Sequence, residues 1–343
     1  MIPLDTLTDN SIISPQYISG EPSLLVFLNE PDNSIYLYDY SSDTFLAKRK
    51  FNSEGSDAIQ MSNSRGYQFV NKDTLFIIDR DNLFVLDQNN DIINKIKLQL
   101  TEVGNPMFSP IHYPLTMIDE KIVIENFGLG FFELKCKYII SDNGDISYRF
   151  PIPKKFIDGF TGLDVFGRWN FAYNKQQQRF IYNFANLEHL YILDHDFNLL
   201  DSVLVRSKYF LGPPDKLHSS KLYGKMLSGL NINPRKYEAL AQSRHYYSLI
   251  LYDQYRNVYY RLVGFPIPED DIQSRDPERK YTRQFSIMVL DEQFNTLSEH
   301  LLPRFEYLLP QSIFISEEGL NIQKIIDDED LMHFDVFDFN KKQ

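Results

Sequence analysis

The sequence predicts an all-β fold: a six-bladed β-propeller of four-stranded antiparallel blades, with the N-terminal strand closing the last blade. Three observations predict it. An apolar run ending in Asp recurs at near-regular spacing along the chain. Aromatic residues make up 15% of the 343 residues, with 27 Phe and 22 Tyr, and such flat side chains pack well on a pleated surface. The last repeat is one strand short, and the N-terminus offers a spare one.

The recurrent run reads Ile35-Tyr36-Leu37-Tyr38-Asp39, Leu83-Phe84-Val85-Leu86-Asp87, Tyr138-Ile139-Ile140-Ser141-Asp142, Leu190-Tyr191-Ile192-Leu193-Asp194, Ile287-Met288-Val289-Leu290-Asp291 and Phe334-Asp335-Val336-Phe337-Asp338. The aspartates are 48, 55, 52, 97 and 47 residues apart. A period near 50 with two hairpins per unit is the signature of propeller blades. Asp at the end of a strand opens a hairpin turn, because its carboxylate accepts backbone N–H groups. Asn143-Gly144 after Asp142 adds a strong hairpin signal.

Each unit fills out to four strands. Blade 1 starts near Pro15 and ends at Phe51. Blade 2 takes 66–70, 74–78, 83–86 and 92–98, and blade 3 takes 114–118, 121–125, 132–140 and 145–151. Blade 4 takes 169–173, 179–183, 189–193 and 199–205, and blade 5 takes 245–252, 256–263, 285–290 and 296–302. Blade 6 has only 311–315, 319–325 and 331–338, so residues 2–7 are expected to supply its fourth strand. Three strands alone would leave an unpaired row of backbone groups. The gap of 97 is read as one blade with two insertions, 206–244 and 265–284, which keeps residues 1–343 in a single domain. In the first insertion, Asn233-Pro234 reads as an N-cap and a first-turn proline leading into a helix over 235–243. The second carries nine charged residues.

Net charge is -12, and a diffuse acidic surface repels phosphate backbones, so nucleic acid is not an expected partner. The one cysteine, Cys136, lies in an apolar run, reads as a buried strand thiol and forms no intrachain disulfide. No apolar run is long enough to cross a bilayer, so no transmembrane segment is expected. The start, Met1-Ile2-Pro3-Leu4-Asp5, lacks the basic and apolar regions of a signal peptide. The chain is therefore cytoplasmic or begins after a removed signal.

Motifs for catalysis are weak. Asp194-His195-Asp196-Phe197-Asn198 imitates half a calcium loop but has Leu199 and Val205 where Gly and Glu are needed. The seven histidines form no His-x-x-x-His pair, and no nucleophile elbow or phosphate loop is present. No cofactor and no local metal site are predicted.

Three stretches stand out: Asn33-Ser34-Ile35-Tyr36-Leu37-Tyr38-Asp39, Glu54-Gly55, and Tyr252-Asp253-Gln254-Tyr255-Arg256-Asn257-Val258-Tyr259-Tyr260-Arg261. On these the chain resembles a bacterial family of unknown function with a six-bladed, TolB-like propeller fold. The resemblance implies export, to the periplasm or as a lipid-anchored surface protein, and it implies no activity. This chain shows no lipid-attachment cysteine at its start.

The expected functional face is the one carrying the connections between blades. Its mouth should be lined by the starts of the innermost strands: Gln16, Tyr67, His112, Trp169, His245 and Gln311. Arg65, Arg168 and Arg244 sit just before three of these, placed to hold an anion. Segment 206–244 carries eight basic and two acidic residues, whereas 317–338 carries eight acidic residues and Lys324. These read as mutually attracting rims or as a basic lid over an anionic ligand. The expected function is non-enzymatic binding of a small molecule or protein. The alternative is a lactonase-like hydrolase with a cation at the channel mouth.

Overall fold

The computed structural model describes residues 1–5, 8, 13–60, 64–79, 82–98, 115–118, 121–124, 135–140, 146–151, 169–210, 242–310 and 312–339. In chain order the strands are β1 (Ile2–Pro3), β2 (Ile13–Ile18), β3 (Leu24–Asn29), β4 (Ser34–Asp39), β5 (Thr44–Lys50), β6 (Ser64–Asn71), β7 (Thr74–Asp79), β8 (Asn82–Leu86), β9 (Ile92–Lys97), β10 (Thr116–Ile118), β11 (Lys121–Ile124), β12 (Lys135–Ile140) and β13 (Ile146–Pro151). Then come β14 (Trp169–Asn174), β15 (Arg179–Phe184), β16 (His189–Leu193), β17 (Leu199–Leu204), β18 (Tyr246–Asp253) and β19 (Val258–Gly264). Two short helices, α1 (Glu269–Ile272) and α2 (Pro277–Tyr281), precede β20 (Phe285–Leu290), β21 (Thr296–Leu301), β22 (Ile313–Ser316), β23 (Gly319–Lys324) and β24 (Leu331–Phe337). The described residues form four-stranded sheets, ordered β2-β3-β4-β5, β6-β7-β8-β9, β10-β11-β12-β13, β14-β15-β16-β17, β18-β19-β20-β21 and β1-β24-β23-β22. The fold is all-β, with antiparallel sheets as propeller blades.

The chain divides into two compact units, Met1–Arg149 with Tyr307–Gln343, and Phe150–Glu306. Within the first unit, strand alternation sends each sheet's side chains to two neighbours. Val26, Leu28, Ile35 and Leu37 pack on Tyr67, Phe69, Leu75 and Ile77 of the next sheet. Leu25, Phe27, Tyr36 and Tyr38, on the opposite face, pack on Ile2, Phe314 and Met332. Phe76 and Ile78 turn the other way, toward Leu115 and Ile122. In the second unit, Ala172, Ile181, Leu190 and Ile192 pack on Tyr247, Ile250, Tyr259 and Met288. The fourth strands β5, β9, β17 and β21 carry mostly exposed or half-exposed side chains, which makes them the outer edges.

The recurrent Asp does what its chemistry predicts. Asp194 Oδ1 accepts from the N–H of Asp196 (2.9 Å) and of Asn198 (2.8 Å), and Asp291 Oδ1 accepts from Gln293 (2.9 Å) and Asn295 (2.8 Å). Asp87 repeats this with Asn89 and Asp91. Each turn places its fourth residue at positive φ: Asn90 at 68°, Phe197 at 68° and Phe294 at 65°. Each is followed by a shift in strand register, as a type I turn with a bulge requires. Phenylalanine is unusual there. Phe197 and Phe294 are held by ring contacts at 4.4 Å to Phe180 and 5.2 Å to Tyr259. The Asp142 turn and Cys136's side chain lie outside what is described.

The N-terminal strand pairs antiparallel with β24, Ile2 opposite Met332 and Pro3 opposite Leu331. It is shorter than the expected 2–7. Leu4 still donates to the Asp330 carbonyl at 2.8 Å, but Asp5 turns to accept from Tyr36 (3.0 Å) and Lys48 (3.2 Å). Residues 6 and 7 lie outside the described residues. The second insertion, read as charged and without assigned structure, contains α1 and α2. Asp276 caps α2 by accepting from the Glu278 N–H at 3.0 Å, with Pro277 in the first turn. The expected helix over 235–243 falls almost wholly outside the described residues.

Candidate functional site

In the second unit, two innermost strands are locked side by side by one amide. Asn170 of β14 donates through Nδ2 to the Ser248 carbonyl of β18 and accepts from the Ile250 N–H at 3.0 Å. Further along, Asn174 Nδ2 donates to the Tyr259 hydroxyl (2.9 Å), and Tyr259 lies opposite Tyr252 of β18. The two strands therefore run parallel, and Trp169, which opens β14, shares one end with His245, the residue before β18. Trp169 is buried with its ring 6.4 Å from Phe184. The first unit uses the same device: Gln16 of β2 donates to the Tyr67 carbonyl (2.9 Å) and accepts from the Phe69 N–H (3.0 Å) of β6.

At the start of β18 the chain assembles a basic and aromatic corner. His245 is half-buried between Phe265, at 5.1 Å, and Phe210, at 6.1 Å. The insertion after β19 folds onto this corner. Phe265 N–H donates to the Gln284 carbonyl (2.9 Å), and Ile267 N–H donates to the Gln242 carbonyl (2.7 Å). Arg283 reaches back, donating through Nη1 to the carbonyls of Arg244 (3.0 Å) and Phe265 (2.6 Å), with its guanidinium 5.0 Å from the Tyr246 ring centre. Burial, and then the Arg283 charge, push the His245 imidazole below its ordinary pKa. Arg244 Nε and Gln242 Oε1 are both buried and have no hydrogen-bond partner among the described residues. A buried donor left unmade costs about 1–3 kcal/mol, which favours an acceptor there. On the flank, Glu299 is already taken, accepting from Ser207 Oγ (2.6 Å), Ser286 Oγ (2.8 Å) and the Lys208 N–H (2.9 Å).

The remaining sequence-predicted residues are placed as follows. Tyr67 is fully buried, and its hydroxyl is shared between the carbonyls of Ser14 (2.7 Å) and Val26 (3.1 Å). Burial pushes this phenol well above its ordinary pKa. Arg65 lies within β6, with its side chain not described. His112, Arg168 and Gln311 lie outside the described residues. Sequence reasoning missed Gln242 and Arg283. A signal for Arg283 existed: it stands two residues before the start of β20, as Arg244 stands two residues before β18. Among the described residues no group of three or more His, Cys, Asp or Glu side chains is arranged to hold a metal ion. No helix among them is long and apolar enough to cross a membrane.

A sequence profile for a domain of unknown function, DUF4221, matches residues 1–129 and 152–301. The chain belongs to the DUF4221 family. A DUF4221 crystal structure from Bacteroides vulgatus superposes with a TM-score of 0.81 at 17% identity, covering 97% of this chain and 94% of that one. A protein of Bacteroides fragilis, described as a candidate exported protein, gives a TM-score of 0.53 at 10% identity, covering 94% of this chain and 82% of that one. These likenesses establish the fold of this DUF4221 chain. No curated protein matches it.

Proposed function

We propose that this DUF4221 chain is an exported, six-bladed, TolB-like binding propeller that takes a small anionic ligand at the corner formed by Gln242, Arg244, His245 and Arg283. The six-blade reading is supported by the four-stranded sheets and by the pairing of β1 with β24. Export is supported by the description of the Bacteroides fragilis protein. The observation that carries the ligand reading is the Arg244 guanidinium, whose buried Nε lacks an acceptor among the described residues. An anion supplies that acceptor, and the Phe210 and Phe265 rings beside His245 suit a ligand with a flat apolar part.

Calorimetric titration with phosphate, sulfate and benzoate tests the reading. At least one of them should bind, and Arg244→Gln should weaken it about tenfold, the loss of one charge-assisted hydrogen bond. The pH dependence has a defined sign. His245 is neutral when its pKa is depressed, a bound anion favours the imidazolium, and affinity therefore rises as pH falls from about 7.5 to 5.5. Failure of all three anions, or stabilisation only by a divalent cation, would overturn the reading.

A further inference from the structure

We propose that Arg304 is a positioning residue for the Arg283–His245 pair, holding the 265–284 insertion so that Arg283 stays over the corner. The proposal rests on the anion reading above and names what builds that site. Arg304 follows β21 and is itself mostly buried. Its guanidinium is spent on the insertion at three points. Nε donates to the Thr282 carbonyl (3.0 Å), one residue before Arg283. Nη2 donates to the Arg279 carbonyl of α2 (2.6 Å). Nη1 pairs with the Asp271 carboxylate of α1 (2.5 Å), whose other oxygen takes Arg279 at 3.0 Å. One planar fork thus ties both helices and the backbone leading to Arg283.

At the far end of the insertion, Gln284 Nε2 adds a bond to the Leu302 carbonyl at 2.9 Å. The insertion's two helices have four and five residues, too short to be stable alone, and α1 has no side-chain cap. Its bonds at the other end run through Phe265, Ile267 and Arg283. Loosening the Arg304 fork frees the Thr282 backbone, and Arg283 loses its fixed approach to the Arg244 and Phe265 carbonyls. Lysine cannot replace this arrangement, because a single ammonium cannot reach two carbonyls and a carboxylate in the same plane.

The His245 imidazole reports the position of Arg283 without any ligand. The measurement is its titration by NMR, with the resonance assigned by His245→Gln, in wild type and in Arg283→Gln, Arg304→Lys and Asp271→Asn variants of the full chain. Arg283→Gln removes a repelling charge and should raise the His245 pKa. Arg304→Lys keeps the charge, so a rise there reports displacement of Arg283 alone. Asp271→Asn separates the two effects by sign. Loss of a negative charge acting through space lowers the His245 pKa, whereas release of Arg283 raises it. Rises in both Arg304→Lys and Asp271→Asn, with about tenfold weaker sulfate binding, are the expected result. An unchanged His245 pKa in Arg304→Lys, or a fall in Asp271→Asn, would overturn the positioning role. If the pKa values rise but anion affinity is unaffected in every variant, including Arg283→Gln, the positioning role holds and the anion reading fails.

Discussion

Arg261 shows how much a single side chain carries between two blades. It is fully buried, and every neighbour it bonds is neutral: Asn183 Oδ1 (2.8 Å) and the carbonyls of Leu187 (2.7 Å), Glu188 (3.1 Å) and Val205 (2.6 Å). Its guanidinium lies 3.4 Å from the Tyr247 ring centre. Desolvation pulls its pKa down to about 10, still far above neutrality, so the cation persists in the core. A buried charge without a contacting carboxylate is tolerated because the donors are answered and the ring face is negative. Arg261→Met leaves those carbonyls unanswered and should lower stability by about 3 kcal/mol, measured by urea unfolding. Arg261 closed the run on which the family resemblance rests, yet nothing in the sequence distinguished it from a solvated strand residue. Burial of a charge depends on which blade faces it. The same is true at the candidate site. Arg244 and His245 could be named as candidates because they sit just before a strand, whereas Arg283 comes beside them only through the fold of the insertion.

At the scale of elements, the hairpin after the third strand is the unit the sequence shows best. Its logic is local: an Asp, two polar residues, a residue at positive φ, and a bulge. Asp291→Ala removes acceptors for the Gln293 and Asn295 N–H groups and for Asn295 Nδ2, and should cost about 1 kcal/mol in thermal or urea unfolding. The sequence reading took the Asp correctly but had no reason to place Phe197 or Phe294 at positive φ, since ring packing from the neighbouring strands decides that. Another element-level constraint lies in the turn between β22 and β23. Gly319 has φ +152°, and a Cβ there would stand 2.5 Å from the Phe337 carbonyl oxygen. Gly319→Ala should therefore destabilise the last sheet by about 1–3 kcal/mol. Strand limits read from alternation were close for β14 to β16, where the turns are short. The helices of the insertion were missed because nine charges in twenty residues carry no apolar period.

Across the first unit, the N-terminal segment joins sequence ends to the blade they flank. Tyr38 donates to the Pro3 carbonyl at 2.8 Å, and Tyr36 bonds both Asp5 and Asp32. Deleting residues 1–9 should lower the melting temperature sharply, because it strips β24 of one of its two partners and Lys48 and Tyr36 of Asp5. Removing 341–343 should leave it unchanged. The same cluster sets an acid limit. Burial pushes the Asp32 carboxyl up, but hydrogen bonds from Lys48, Lys50, Ser34 and Tyr36 outweigh it and hold the pKa at about 2. A carboxylate depressed in the folded state stabilises fully above its unfolded value, near 4, and loses that contribution as pH falls toward about 2. Asp32→Asn should therefore be less stable than wild type at pH 7, and the gap between the two melting curves should close across that window. The blade period and the pairing of chain ends were both legible, because backbone groups must be paired whatever side chains surround them. The setting of Arg283 beside His245 was not, because it depends on how distant segments converge.

The most direct test of the central claim is a crystal structure of the full chain grown with selenate, with anomalous data collected at the selenium edge. The account predicts an anomalous peak within hydrogen-bonding distance of the Arg244 and Arg283 guanidinium groups and beside His245, lost in Arg244→Gln crystals. A map in which a carboxylate of the protein itself occupies the Arg244 guanidinium, with no selenium near His245, would contradict it.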